Sequence, residues 1–138
     1  MTDRSFLDTN ILVYAYDVRE PIKQARAQEV LKQGIENETA ILSVQVIGEF
    51  FTVVTKRILK PLSAEEAEQA LDLLSILPII DLDSRMVRHA IAIHRQHGIA
   101  YWDALIVAAA HRAECTQILT EDLNAGQSYS GVTVVNPF

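Results

Sequence analysis

Short apolar, β-branched segments alternate with amphipathic helical ones along the 138 residues of this chain. That order predicts an α/β fold, with a mostly parallel sheet covered by helices on both faces. Caps and prolines mark where several of the helices begin and end. No repeat, low-complexity tract or Gly/Ser/Pro linker divides the sequence, so residues 1–138 are expected to form one domain.

The elements follow in order. Ser5 to Leu7 reads as a strand that breaks at Asp8-Thr9-Asn10, and Ile11 to Tyr16 as a brief helix. Pro21 sits in the first turn of a longer helix that runs to about Glu36, where its missing N–H costs nothing. Ala40 to Leu42 is the second strand, and Val44 to Leu59 a helix that Pro61 terminates. Ser63-Ala64-Glu65-Glu66 is a capping box that opens a helix reaching Ile76. Ile79 to Leu82 is the third strand; the next helix starts near Asp83 and stops at Gly98. Trp102 to Glu114 forms another helix, and Gln117 to Thr120 and Val132 to Val135 are the last two strands.

Hydrophobic residues make up 49% of the chain against 22% charged, which excludes a disordered polymer. Cys115 is the only cysteine, so no internal disulfide forms, and no leader-like N-terminus is evident. The expected compartment is therefore a reducing cytoplasm. The longest apolar run, Ala104 to Ala110, is too short to span a bilayer. With 12 basic and 18 acidic residues the formal charge is −6, which argues against grip on nucleic acid through many unselective phosphate contacts. Lys56, Arg57 and Lys60 form one small basic group and Arg85, Arg88 and Arg95 another; each also reads as a solvated helix face.

Four acids stand out. Asp8 and Asp122 follow strands, and open parallel sheets place their sites at the carboxyl ends of strands. Asp103 opens a helix whose next seven residues, Ala104 to Ala110, are apolar all round, which marks a buried element and aims the acid at the interior or a cleft. Glu49 lies on the border of an apolar arc formed by Val46, Phe50, Val53 and Val54, with no cation three or four residues away. Each acid has an ordinary reading taken alone: caps for Asp8 and Asp103, a solvated stripe edge for Glu49, a turn for Asp122. Their combination suggests one concave site. Clustered carboxylates repel unless a cation joins them, and an all-oxygen set suits Mg²⁺ or Mn²⁺. Hydrolysis of a phosphodiester backbone is the chemistry such a set serves best. Thr9 and Asn10 are positioned to add a hydroxyl and an amide, or to serve as turn residues.

Phe6-Leu7-Asp8-Thr9-Asn10-Ile11-Leu12, Val46-Ile47-Gly48-Glu49-Phe50, Tyr101-Trp102-Asp103-Ala104-Leu105-Ile106 and Leu119-Thr120-Glu121-Asp122, taken together, resemble the PIN-domain family, most of all its VapC-type toxins. The ending Asn136-Pro137-Phe138 is similar to that of some members. The resemblance implies a three-layer α/β/α sandwich and a Mg²⁺- or Mn²⁺-dependent endoribonuclease. It further implies an acidic quartet of Asp8, Glu49, Asp103 and Asp122 with Thr9 or Asn10 beside it, a homodimer, and an inhibitory antitoxin partner. After Asp122, where many relatives place an aromatic residue, this chain reads Leu123-Asn124-Ala125-Gly126, which leaves open whether Asn124 contributes to the substrate side.

Two other readings compete. Haloacid-dehalogenase-type phosphatases also begin with an acid after the first strand, yet they carry a second Asp two residues on, where this chain has Asn10. A binding module without catalysis would use the acids only as caps. His89, His94, His97 and His111 lack the i, i+4 pair of a zinc helix, and Cys115 reads as a small buried hydrophobe. Tyr14, Tyr16, Tyr101 and Trp102 offer base-stacking surfaces, or core packing.

Overall fold

A computed structural model describes residues 3–138. Six strands, β1 (Ser5–Leu7), β2 (Ala40–Ser43), β3 (Ile79–Ile80), β4 (Gln117–Leu119), β5 (Ser128–Tyr129) and β6 (Val132–Val135), form one sheet in the order β3-β2-β1-β4-β6-β5. All neighbouring pairs are parallel except β5 with β6. The helices are α1 (Thr9–Tyr14), α2 (Pro21–Glu36), α3 (Val44–Val54), α4 (Ala64–Leu74), α5 (Ser84–His97) and α6 (Tyr101–Arg112). They cover the sheet as the outer layers of a three-layer α/β/α sandwich. α6 packs against α5 and against β2, β4 and β6, and α1 packs against α2 and α3.

Local chemistry explains most boundaries. Ser63 caps α4 with both bonds of the capping box in place, and Asp83 caps α5 by accepting from the Met86 N–H at 2.9 Å. Gly98 ends α5 at φ 71°, a left-handed turn that glycine adopts without steric cost. Ala104 to Ala110 are all buried, as expected for a helix apolar on every side. The core gathers them with Phe6, Leu12, Phe50 and Ile118.

Several element ends shift by one or two residues from the sequence reading, β3 ending at Ile80 and α4 at Leu74 among them, and three departures stand out. α3 ends at Val54 instead of Leu59. The Thr55 hydroxyl bonds back to the Phe51 carbonyl at 2.7 Å, and the chain then turns so that the Leu62 N–H reaches the Val54 carbonyl at 2.8 Å. The brief first helix begins at Thr9, two residues before Ile11, because Asp8 is its N-cap. Ser128–Tyr129, absent from the expected elements, adds a short antiparallel edge strand; two residues are too few for a period-2 pattern to register. No helix among the described residues is long and apolar enough to cross a membrane.

Candidate active site

The strand order reverses between β1 and β4: the chain leaves β1 toward β2 and β3, and leaves β4 toward β6 and β5. Crevices form at the carboxyl ends of strands at such a switch point. Asp8 follows β1 and Thr120 follows β4, so the two face each other across the parallel pair that aligns Leu7 with Leu119.

Asp8 is 6% exposed. Its carboxylate accepts from the Thr9 N–H at 2.7 Å and from the Thr120 hydroxyl at 2.8 Å. Burial nevertheless pushes its pKa up to about 6; those two hydrogen bonds work against the rise, and the charges of Asp122 and Glu49 add to it. Asp103 in the first turn of α6 is also raised, by burial first and then by Asp122 and Glu49, with no hydrogen bond offsetting them. Glu49 and Asp122 therefore each lie within electrostatic reach of both Asp8 and Asp103.

The remaining acids are held by neutral donors. Glu49 accepts from the Thr9 hydroxyl at 2.7 Å and from Gln45 Nε2, one helical turn earlier, at 2.9 Å. Gln45 also donates to the Trp102 carbonyl at 3.1 Å, which ties α3 to the start of α6. Asp122 is exposed and accepts from Asn10 Nδ2 at 3.1 Å. Thr9 thus joins Asp8 to Glu49, and Asn10 joins Asp122 to the Thr120 hydroxyl at 3.0 Å. Asn124 is not drawn in: its amide donates to Gln127 Oε1 at 3.2 Å.

Thr120, fully buried, was missed by sequence reasoning. Its hydroxyl donates to Asp8 and accepts from Asn10 and from the Asp122 N–H. A polar residue closing an apolar central strand immediately before two acids is the signal that marked it. Gln45 was missed too, since it lies opposite the apolar arc and reads as an exposed helix residue.

Thr9, Asn10, Tyr14, Glu49 and Asp122 line a cleft of about 460 Å³, with Arg19 and Arg57 on its wall. Asp17, 3% exposed, holds Arg19 through both carboxylate oxygens. Arg57 has no carboxylate partner among the described residues. Among these residues, no three His, Cys, Asp or Glu side chains are already gathered as a metal cage. The donor chemistry nonetheless fits a hard divalent cation. Beside the carboxylates, the buried Asn10 Oδ1 and Gln45 Oε1 lack any hydrogen-bond partner, so the surroundings are rich in uncompensated oxygen.

The model of the PIN domain family matches residues 5–127. The chain belongs to the PIN-domain family. Solved structures carry the same fold along nearly the whole of this PIN domain. VapBC of Salmonella typhimurium bound to DNA is 17% identical, with a TM-score of 0.71, and the match covers 99% of this chain and 100% of that one. VapBC2 of Rickettsia felis, bound to a promoter DNA fragment, is 25% identical at a TM-score of 0.67, covering 94% and 96%. VapC20 of Mycobacterium tuberculosis, a toxin that cleaves the sarcin-ricin loop, is 17% identical at 0.62, covering 86% and 91%. Comparison with curated proteins finds no significant match.

Proposed function

We propose that this PIN-domain protein is a Mg²⁺- or Mn²⁺-dependent endoribonuclease and the toxin of a toxin–antitoxin pair. The reading is supported most by the hydrogen bonds at the carboxyl edge of β1 and β4, where Thr9 links Asp8 to Glu49 and Thr120 with Asn10 links Asp8 to Asp122, with Asp103 in electrostatic reach of Glu49 and Asp122. The similarity to VapBC complexes and to an RNA-cleaving toxin supports it.

In this reading the four carboxylates hold the cation. When bound, it supplies Lewis-acid chemistry, acidifying water and offsetting negative charge on a phosphodiester. The chain's own contribution is positioning. The Thr9 N–H and Thr120 hydroxyl fix the orientation of Asp8, and the Thr9 hydroxyl and Gln45 fix Glu49. Arg57, free on the cleft wall, meets a backbone phosphate, the local help that a chain of net charge −6 requires. The antitoxin and a second copy of the chain are the proposed partners, and exposed Leu59, Leu73 and Ile76 offer apolar surface for them. The cytoplasm is the proposed compartment.

A non-catalytic PIN-like binding module draws support from one fact, that Asp8 already serves as the cap of α1. One experiment separates the readings: cleavage of single-stranded and loop-containing RNA with Mg²⁺, with EDTA, and with Asp103→Asn. The nuclease reading expects cleavage only by wild type with metal. Wild type that leaves every RNA intact while binding Mn²⁺ no better than Asp103→Asn overturns it.

A further inference from the structure

The segment after β4 sends its side chains in alternate directions: Thr120 inward to Asp8, Glu121 toward α1 and α2, and Asp122 back to Asn10. Glu121 is the member of the three that no part of the proposed chemistry uses. It is nevertheless held by two side chains from other elements. Its Oε2 accepts from Lys23 Nζ at 2.9 Å and its Oε1 from the Tyr14 hydroxyl. Lys23 also reaches the Tyr14 hydroxyl at 3.3 Å. The ammonium lies 4.8 Å from the centre of the Tyr14 ring and 5.7 Å from that of Phe138. Phe138 packs edge-on against Tyr14, ring centres 5.1 Å apart.

This cluster joins three distant parts of the chain. Tyr14 closes α1, the helix capped by Asp8, and lines the cleft. Lys23 lies in the first turn of α2. Phe138 arrives from beyond β6, where Arg26 Nε donates to the Pro137 carbonyl at 2.9 Å and the Phe138 N–H donates to Asn136 Oδ1 at 2.9 Å. The ending Asn136-Pro137-Phe138 thus has a physical task that its resemblance to other members left unexplained: it seats an aromatic ring against Lys23 and Tyr14. Asp122 itself is exposed and has one side-chain partner, Asn10. Its backbone N–H donates to the Thr120 hydroxyl at 3.0 Å on one side, and the neighbouring Glu121 anchors the segment to α1 and α2 on the other.

We propose that Lys23 and Phe138 are positioning residues that clamp Glu121 against Tyr14 and so hold Asp122 over the acid cluster. The proposal rests on the metal-dependent reading above only in assigning a cation to Asp122. Neighbours of a metal ligand that fix its orientation contribute about 10-fold or more to affinity, so Lys23→Met and Phe138→Leu should each weaken Mn²⁺ binding about 10-fold by electron paramagnetic resonance of the free ion. RNA cleavage should then fall at limiting metal and recover at saturating metal, which a general loss of structure would not produce. Lys23→Arg should restore binding.

Hydrogen exchange of a peptide spanning residues 119–126 provides the second measurement. The amides of Glu121 to Leu123 should exchange faster in Lys23→Met and Phe138→Leu than in wild type, while those of α6 stay unchanged. Wild-type metal affinity in both variants, or unchanged exchange in this segment, overturns the proposal. Should wild type bind no Mn²⁺, the metal reading fails on its own, and the exchange measurement alone decides whether the clamp holds this segment.

Discussion

Replacing Asp8 by asparagine should make the metal-free protein more stable while removing its activity. The carboxyl is raised from 3.8 to about 6, chiefly by burial, so the folded state holds its proton more tightly than the unfolded chain does. Its favourable contribution is full below pH 3.8 and is lost as pH rises through about 6. At pH 7.5 the ionised group costs the fold about 3 kcal/mol, at roughly 1.4 kcal/mol per tenfold change in proton affinity. Asparagine carries no such cost, but it sacrifices a bond. The Thr120 oxygen already accepts from Asn10 and from the Asp122 N–H, so an amide NH₂ at the Asp8 Oδ2 position meets an occupied acceptor and forfeits about 1 kcal/mol. The net gain is about 2 kcal/mol, or roughly 8 °C in melting temperature for a domain of this size. Thermal unfolding by circular dichroism in EDTA measures it. At pH 4.5 the ionisation cost has fallen to about 1 kcal/mol, the lost bond cancels it, and the two proteins should melt together. Millimolar Mg²⁺ should stabilise wild type and leave Asp8→Asn unmoved. A variant that melts below wild type at pH 7.5 in EDTA would refute the claim that burial governs this carboxylate.

Other perturbations have equally definite outcomes. Thr120→Val keeps the shape of a fully buried side chain but leaves Asn10 and the Asp122 N–H without their shared acceptor. It should cost about 2–4 kcal/mol in urea unfolding and raise the Asp8 pKa further in a carbon-13 titration; an unchanged Asp8 titration would remove Thr120 from the network. Gly34→Ala pits two effects against each other. Helix propensity favours alanine by about 1 kcal/mol, but a Cβ at this position of α2 would stand 2.5 Å from the Cβ of buried Ala40. Overpacking of about 1–3 kcal/mol should win, so the melting temperature should fall, and a rise would mean that α2 can shift off β2 freely.

The parts of the fold legible in the sequence are those set by local chemistry. The Ser63 capping box, Asp83 and Gly98 mark helix ends because capping is decided within a few residues, and the all-apolar stretch after Asp103 announces a buried helix. The end of α3 was not legible, since the bond from Thr55 back to Phe51 competes with a periodic pattern that runs on. For the candidate site, the residue types and the strand-end positions of Asp8 and Asp122 could be read directly. The partners could not: Thr120 lies 112 residues from Asp8, and Lys23 lies 98 from Glu121. No periodicity carries information over such separations. The orientation of Asn124 toward Gln127 likewise depends on a turn that composition alone does not define.

The pairing of β1 with β4 sets an order of events during synthesis. The strand that Asp8 must lie beside is translated more than a hundred residues after it. Parallel contacts at that separation close late in folding. During synthesis Asp8, Glu49 and Asp103 are therefore all in place in the chain before β4 and Asp122 exist to complete their surroundings.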